Sequence, residues 1–129
     1  MAAGLLLSAL GYLVDRNSRL RESYEIQQTR SAGKSAANGP LVARILPNKL
    51  EPARNRYTVI AGKRVGKSHD RNRCKRVTRE ALRHFDPRLK QGFDIAVIIR
   101  GRRAELSDLQ VAQRSLGEIF RKSNLLLPT

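Results

Sequence analysis

At 129 residues, the chain is the size of one ordinary domain, long enough to bury roughly two thirds of the surface its unfolded form exposes, so its core needs no disulfide or metal. Its 26 Lys and Arg against 11 Asp and Glu leave a net charge of +15; self-repulsion on that scale implies a polyanionic partner, nucleic acid first and an anionic membrane surface second. The single cysteine, with no C-x-x-C or Cys/His spacing, weighs against a disulfide framework or zinc site and fits a reducing compartment, with Cys74 as a small core residue.

The chain opens on an apolar run, Gly4 to Val14. It lacks the basic flank and cleavage site of a secretory signal and is too short to span a bilayer, so residues 1–16 read as an extension outside the domain. From Asn17 the pattern turns helical, with Asn17 or Ser18 as cap and Leu20 and Tyr24 on one side. Ser31 to Pro40 has the small-residue, Gly and Pro composition of a loop. Leu41 to Leu46 reads as a strand closed by Pro47, and Tyr57 to Ala61 as another, most simply an antiparallel pair.

Between Gly62 and Arg83 lies the most basic stretch of the chain, GKRVGKSHDRNRCKRVTREALR. At helical spacing Cys74, Val77, Ala81 and Phe85 share roughly 80° of arc, while Arg71, Lys75, Arg76, Arg79 and Arg83 fill a separate arc of roughly 140°. Glu80 is the one acid on this helix after Asp70, so most of these cations have no helical partner. Gly92 to Ile99 is a β-branched run suited to a central strand buried on both faces. Ser107, with Gln110 three residues on, caps a last helix whose apolar stripe is Leu109, Ala112, Leu116, Ile119 and Phe120. The order α-β-β-(β)-α-β-α defines an α+β fold, a two-layer α/β sandwich: one domain over residues 17–126 with a short tail at 127–129. The general rule makes the strand-helix-strand crossover through the basic helix right-handed.

The run Lys63-Arg64-Val65-Gly66-Lys67, followed by Arg71-Asn72-Arg73, Lys75-Arg76 and Arg79-Glu80, resembles the signature of the bacterial ribonuclease P protein subunit. Asn17 to Arg21, Phe93 to Arg100 and Ile119 to Ser123 are similar to that family's start, fourth strand and final helix. The resemblance implies a protein that binds a catalytic RNA and assists endonucleolytic removal of the 5′ leader from precursor tRNA. The chemistry would belong to the RNA and its Mg²⁺ ions, and no residue of this chain would be catalytic or a metal ligand. It also implies a left-handed crossover, which overrides the general rule, and a cytoplasmic protein for which neither a membrane nor a protein partner is expected.

Carried over residue by residue, Lys63, Arg64, Lys67, Arg71, Asn72, Arg73, Lys75, Arg76 and Arg79 match the family's RNA-contacting positions, where a planar guanidinium can bridge two phosphate oxygens. The family's leader cleft, between the first helix and the sheet, uses aromatic side chains to stack unpaired bases. Here its positions are Ile26, Arg30 and Arg44, with Tyr24 and Tyr57 nearby, so charge and guanidinium stacking would replace part of the aromatic contribution. Two other classes share the basic composition: a non-catalytic ribosomal-type structural RNA-binding protein and a basic-helix reader of duplex DNA. His69 and His84, each flanked by basic residues, read as solvated or RNA-facing rather than as an acid-base pair.

Overall fold

A computed structural model describes residues 19–106 and 108–128. The apolar extension, the caps expected at Asn17 and Ser18, and Ser107 lie outside the described residues. The elements in order are α1 (Ser23–Ala32), β1 (Lys34–Asn38), β2 (Leu41–Pro47), β3 (Arg56–Ala61), α2 (Ser68–Phe85), β4 (Phe93–Ile99) and α3 (Leu109–Lys122), with short 3₁₀ turns at Lys63–Val65, Asp86–Arg88 and Arg103–Leu106.

The four strands form one sheet in the order β1-β2-β4-β3. β2 and β3 are therefore not the neighbours their sequence adjacency suggests. β4 lies between them, antiparallel to β2 and parallel to β3, because its apolar run can be covered on both sides only at the centre of a sheet. β1 falls inside the stretch whose composition reads as loop. Its residues KSAAN carry little strand propensity; the ladder to β2, from Lys34 opposite Ile45 to Asn38 opposite Leu41, forms around a two-residue turn at Gly39-Pro40 with Gly39 at φ +54°. A free strand edge beside it offered that ladder, and backbone hydrogen bonding overrode local preference.

Strand alternation assigns Leu41, Ala43 and Ile45, Ile95, Val97 and Ile99, and Tyr57 and Val59 to one sheet face, all buried in a single core with α2 and α3. Phe85 of α2 meets Phe120 of α3 edge to face, centroids 5.6 Å apart, a geometry that suits the ring quadrupoles. The buried face of α2 is Cys74, Thr78, Ala81, Leu82 and Phe85. It is turned by roughly 50° from the face expected from Val77, because Thr78 can be buried once its hydroxyl bonds Cys74 O (2.8 Å). In α3, Ala112, Leu116, Ile119 and Phe120 are buried as expected, while Leu109 is exposed. Its cap is Asp108, whose carboxylate accepts the Val111 N–H at 3.1 Å.

The helical pattern expected from Asn17 begins, among the described residues, only at Ser23. Arg19 and Leu20 are extended instead, Arg19 bridging Tyr57 and the Leu20 N–H donating to Tyr57 O (2.8 Å) along the outer edge of β3. From there α1 crosses the second sheet face, contacting β2 and β4. It ends at Gly33, where any Cβ would stand 2.4 Å from Thr29 O and 2.9 Å from Ile45 N. Only glycine lets the helix end come that close to β2.

Candidate nucleic-acid interface

α2 starts where the chain leaves β3 through the 3₁₀ turn Lys63–Val65. Gly66, at φ +147°, would place a Cβ 2.8 Å from the Asp70 carboxylate, which accepts the Lys67 N–H at 3.3 Å and caps the helix. Asp70 also holds Arg103 at 3.1 Å, and Glu80 holds Arg83 at 3.0 Å. Among the described residues these are the ion pairs that α2 makes with Lys or Arg. Arg73, Lys75, Arg76 and Arg79 have none.

Asn72, Arg76, Arg79 and Arg83 fall within roughly 60° of arc on α2. Together with Glu80 and with Arg19 from the extended segment they line a bay of about 330 Å³. Two features make this bay a candidate anion site. The Nε atoms of Arg19 and Arg83 are buried with no hydrogen-bond partner in the protein, a costly arrangement that a shift of either guanidinium onto an anion would relieve. Burial, and then the like charge of Arg19, lower the pKa of the Arg79 guanidinium, so two cations are held close together in the bay. A phosphodiester presents the acceptors and the charge that would relieve both.

Of the residues singled out from the sequence, Asn72, Arg76 and Arg79 enter the bay. Arg71 sits on the core-side flank of α2 with its guanidinium on Ser68 Oγ (3.1 Å), and Lys75 is half-buried beside it. Arg73 is exposed on the opposite flank, and Lys63, Arg64 and Lys67 are exposed along the approach to α2. Arg19 and Arg83 are site residues that the family's signature positions do not include. Arg83 is within reach of the sequence, since it lies four residues beyond Arg79 and seven beyond Arg76 on one stripe; Arg19 is not, because only the sheet-edge pairing brings it there.

The five leader-cleft residues separate. Tyr24 is exposed at 72% and lines a groove of about 410 Å³ with Gln28, Leu46, Pro47 and Leu50. Ile26 and Arg30 lie about 200° and 240° round α1 from Tyr24, on its other flank. Arg44 lies on the sheet face that α1 crosses, donating to Ser31 O at 3.4 Å with its Nε buried and unpartnered. Tyr57 does not belong with them: it points through the sheet into the core, 4% exposed, with its hydroxyl donating to Asp86. Alternation sends Tyr57 to the face opposite Arg56 and Thr58, and one residue of register decides the matter. Burial, then Asp86, pushes its phenol pKa well up. The two histidines are far apart in character, His69 largely exposed beside Asp70 (3.4 Å) and His84 packed edge-on to Phe85.

Comparison with known proteins bears on the family and the fold. The profile of the Ribonuclease P family matches residues 14–124. The chain is similar to the ribonuclease P protein component of Caldanaerobacter subterraneus subsp. tengcongensis, 33% identical over 111 residues that cover 86% of this chain and 93% of that one. It is likewise similar to that of a Thermoanaerobacter species, 36% identical over 107 residues, 83% and 90% of the two chains. Among solved structures, the RNase P protein from Thermotoga maritima superimposes with TM-score 0.71 at 27% identity over 81% of this chain and 96% of that one. The Staphylococcus aureus RNase P protein does so with TM-score 0.70 at 25% identity, over 84% and 97%.

Proposed function

The chain belongs to the ribonuclease P protein family, and from that premise we propose that it binds a catalytic RNA through the α2 bay and helps that RNA remove the 5′ leader of precursor tRNA. Membership makes it the protein subunit of an endoribonuclease. The finer division of labour is our reading: phosphodiester hydrolysis belongs to the RNA partner and its Mg²⁺ ions, and this chain supplies RNA binding, with the leader held along α1 by Ile26, Arg30 and Arg44. Among the described residues no three His, Cys, Asp or Glu side chains lie close enough to hold a metal ion, and no step proposed here runs through one. Nor, among them, is any helix long and apolar enough to cross a membrane; we place the protein in the cytoplasm, where tRNA matures.

The observation that carries this reading is the α2 bay, with unsatisfied guanidinium nitrogens on Arg19 and Arg83 and like charges held together at Arg19 and Arg79. Such a site favours a polyanion, and successive phosphates spaced along an RNA strand supply both acceptors and charge.

The test is cleavage of a precursor tRNA at low Mg²⁺ by the source organism's catalytic RNA, alone, with the wild-type protein, and with Arg19→Ala/Arg79→Ala. We expect the wild type to restore 5′ maturation and the double variant, folded by circular dichroism, to require about tenfold or more protein for the same rate, since a hydrogen bond between a guanidinium and a phosphate is worth roughly 1.5–3 kcal/mol. Equal stimulation by both proteins would remove the bay from the interface. No stimulation by either, despite RNA binding, would move the chain to the structural RNA-binding class.

A further inference from the structure

Glu25 on α1, Arg56 on β3 and Asp94 on β4 form one ion bridge from helix to sheet. The Arg56 Nη2 lies 2.8 Å from Glu25 Oε2 and 2.8 Å from Asp94 Oδ2, its Nη1 is 3.3 Å from Glu25 Oε1 and its Nε 2.9 Å from Asp94 Oδ1. The three side chains are 25%, 16% and 8% exposed, so the bridge is screened far less than a surface pair. Asn48 Nδ2 reaches Asp94 Oδ1 at 2.9 Å and completes the acceptor's shell.

What makes the bridge matter is how little else holds α1. Thr29 is the one buried residue among its ten, and the Thr29 hydroxyl is spent on Glu25 O within the helix. Among the described residues the other side-chain hydrogen bond from the sheet to α1 is Arg44 to Ser31 O, 3.4 Å long and at the far end. Gly33 fixes that same end. The first half of the helix, which carries Ile26, is tied to the sheet by Glu25.

We propose that Arg56 is a positioning residue for substrate, holding α1 through Glu25 and Asp94 so that the flank bearing Ile26 and Arg30 stands at a fixed distance from the sheet and can grip the leader. This rests on the reading that the leader lies along that flank. Arg56 acts through the helix and need not touch RNA.

Charge and position make opposite forecasts for Glu25, which allows a clean test. Removing a carboxylate near a polyanion should tighten binding if charge alone matters, whereas releasing the helix should weaken the grip on the leader. Arg56→Ala is a poor probe, because it strands the nearly buried Asp94 carboxylate and threatens the fold. The variants are therefore Glu25→Ala and Glu25→Gln, each assembled with catalytic RNA, with affinity measured for precursor tRNA and for the mature tRNA.

We expect Glu25→Ala to reduce the preference for precursor over mature tRNA by about three- to tenfold, less than the roughly hundredfold that an ångström of misplacement can cost a reaction rate, because only binding is affected. Glu25→Gln, whose amide oxygen still accepts from Arg56, should keep most of the preference, and binding of mature tRNA should change little in either. Equal behaviour of the Ala and Gln variants, or tighter precursor binding in both, would overturn the positioning role. A wild type without any preference for leader-bearing tRNA would sink the leader reading itself and the proposal with it, and that outcome is visible before any variant is made.

Discussion

Tyr57 shows how one residue's role can invert between sequence and structure. Its place beside a basic, strand-forming segment suits a stacking aromatic, yet the pleat sends it into the core, where its hydroxyl is committed to Asp86 and to the Asn55 amide at 3.3 Å. That burial has a pH signature. The phenol is held protonated in the fold, with its pKa above the ordinary value near 10. Its contribution to stability is therefore fully present below about pH 10 and is lost as pH rises from there towards the raised folded value. We expect Tyr57→Phe to cost about 1 kcal/mol at pH 8, where Asp86 loses a donor. Above about pH 10 the variant's unfolding midpoint should fall less steeply than the wild type's. Thermal melts of both proteins from pH 8 to 11 measure this, and parallel curves would mean the phenol is not coupled to folding.

Among the elements, α2 is where sequence and structure agree most. Its charge density and its exposed Arg-rich flank follow from a local pattern with period 3.6, although the helix starts at Ser68, before the Arg71 at which the pattern becomes evident. What the pattern misplaces is the centre of the buried face, since a helical wheel treats Thr78 as polar and cannot know that its hydroxyl will be satisfied by the preceding turn. The same stripe supports a forecast. Replacing Arg76, Arg79 and Arg83 together by Gln removes three cations from the bay and leaves the buried face untouched. The log-log slope of catalytic-RNA affinity against salt should become shallower by about two to three, while the unfolding midpoint of the free protein holds or rises as like-charge repulsion is relieved. An unchanged slope would place the phosphate contacts elsewhere. At β1 the sequence was least informative, because a strand made by pairing with a neighbour needs no pattern of its own.

For the molecule as a whole, a net charge of +15 stores repulsion that any tightly bound anion should relieve. Sulfate at tens of millimolar is expected to raise the thermal midpoint by several degrees more than sodium chloride of equal ionic strength, because ligand binding to the native state stabilises it by mass action whereas screening acts without a site. Superimposable shifts in the two salts would argue against a discrete anion site. By itself the sequence determined the α+β class, the basic helix, the central apolar strand and the polyanionic partner, since each follows from local periodicity or from a sum of charges. Only the tertiary structure decided that β4 parts β2 from β3, that Arg19 joins Arg79 across the sheet edge, that Tyr57 faces the core, and that Arg56 ties helix to sheet. Those are meetings of residues far apart in the chain or choices of a single register, set by which faces can be covered and which hydrogen bonds satisfied in three dimensions, and neither leaves a periodic trace along the sequence.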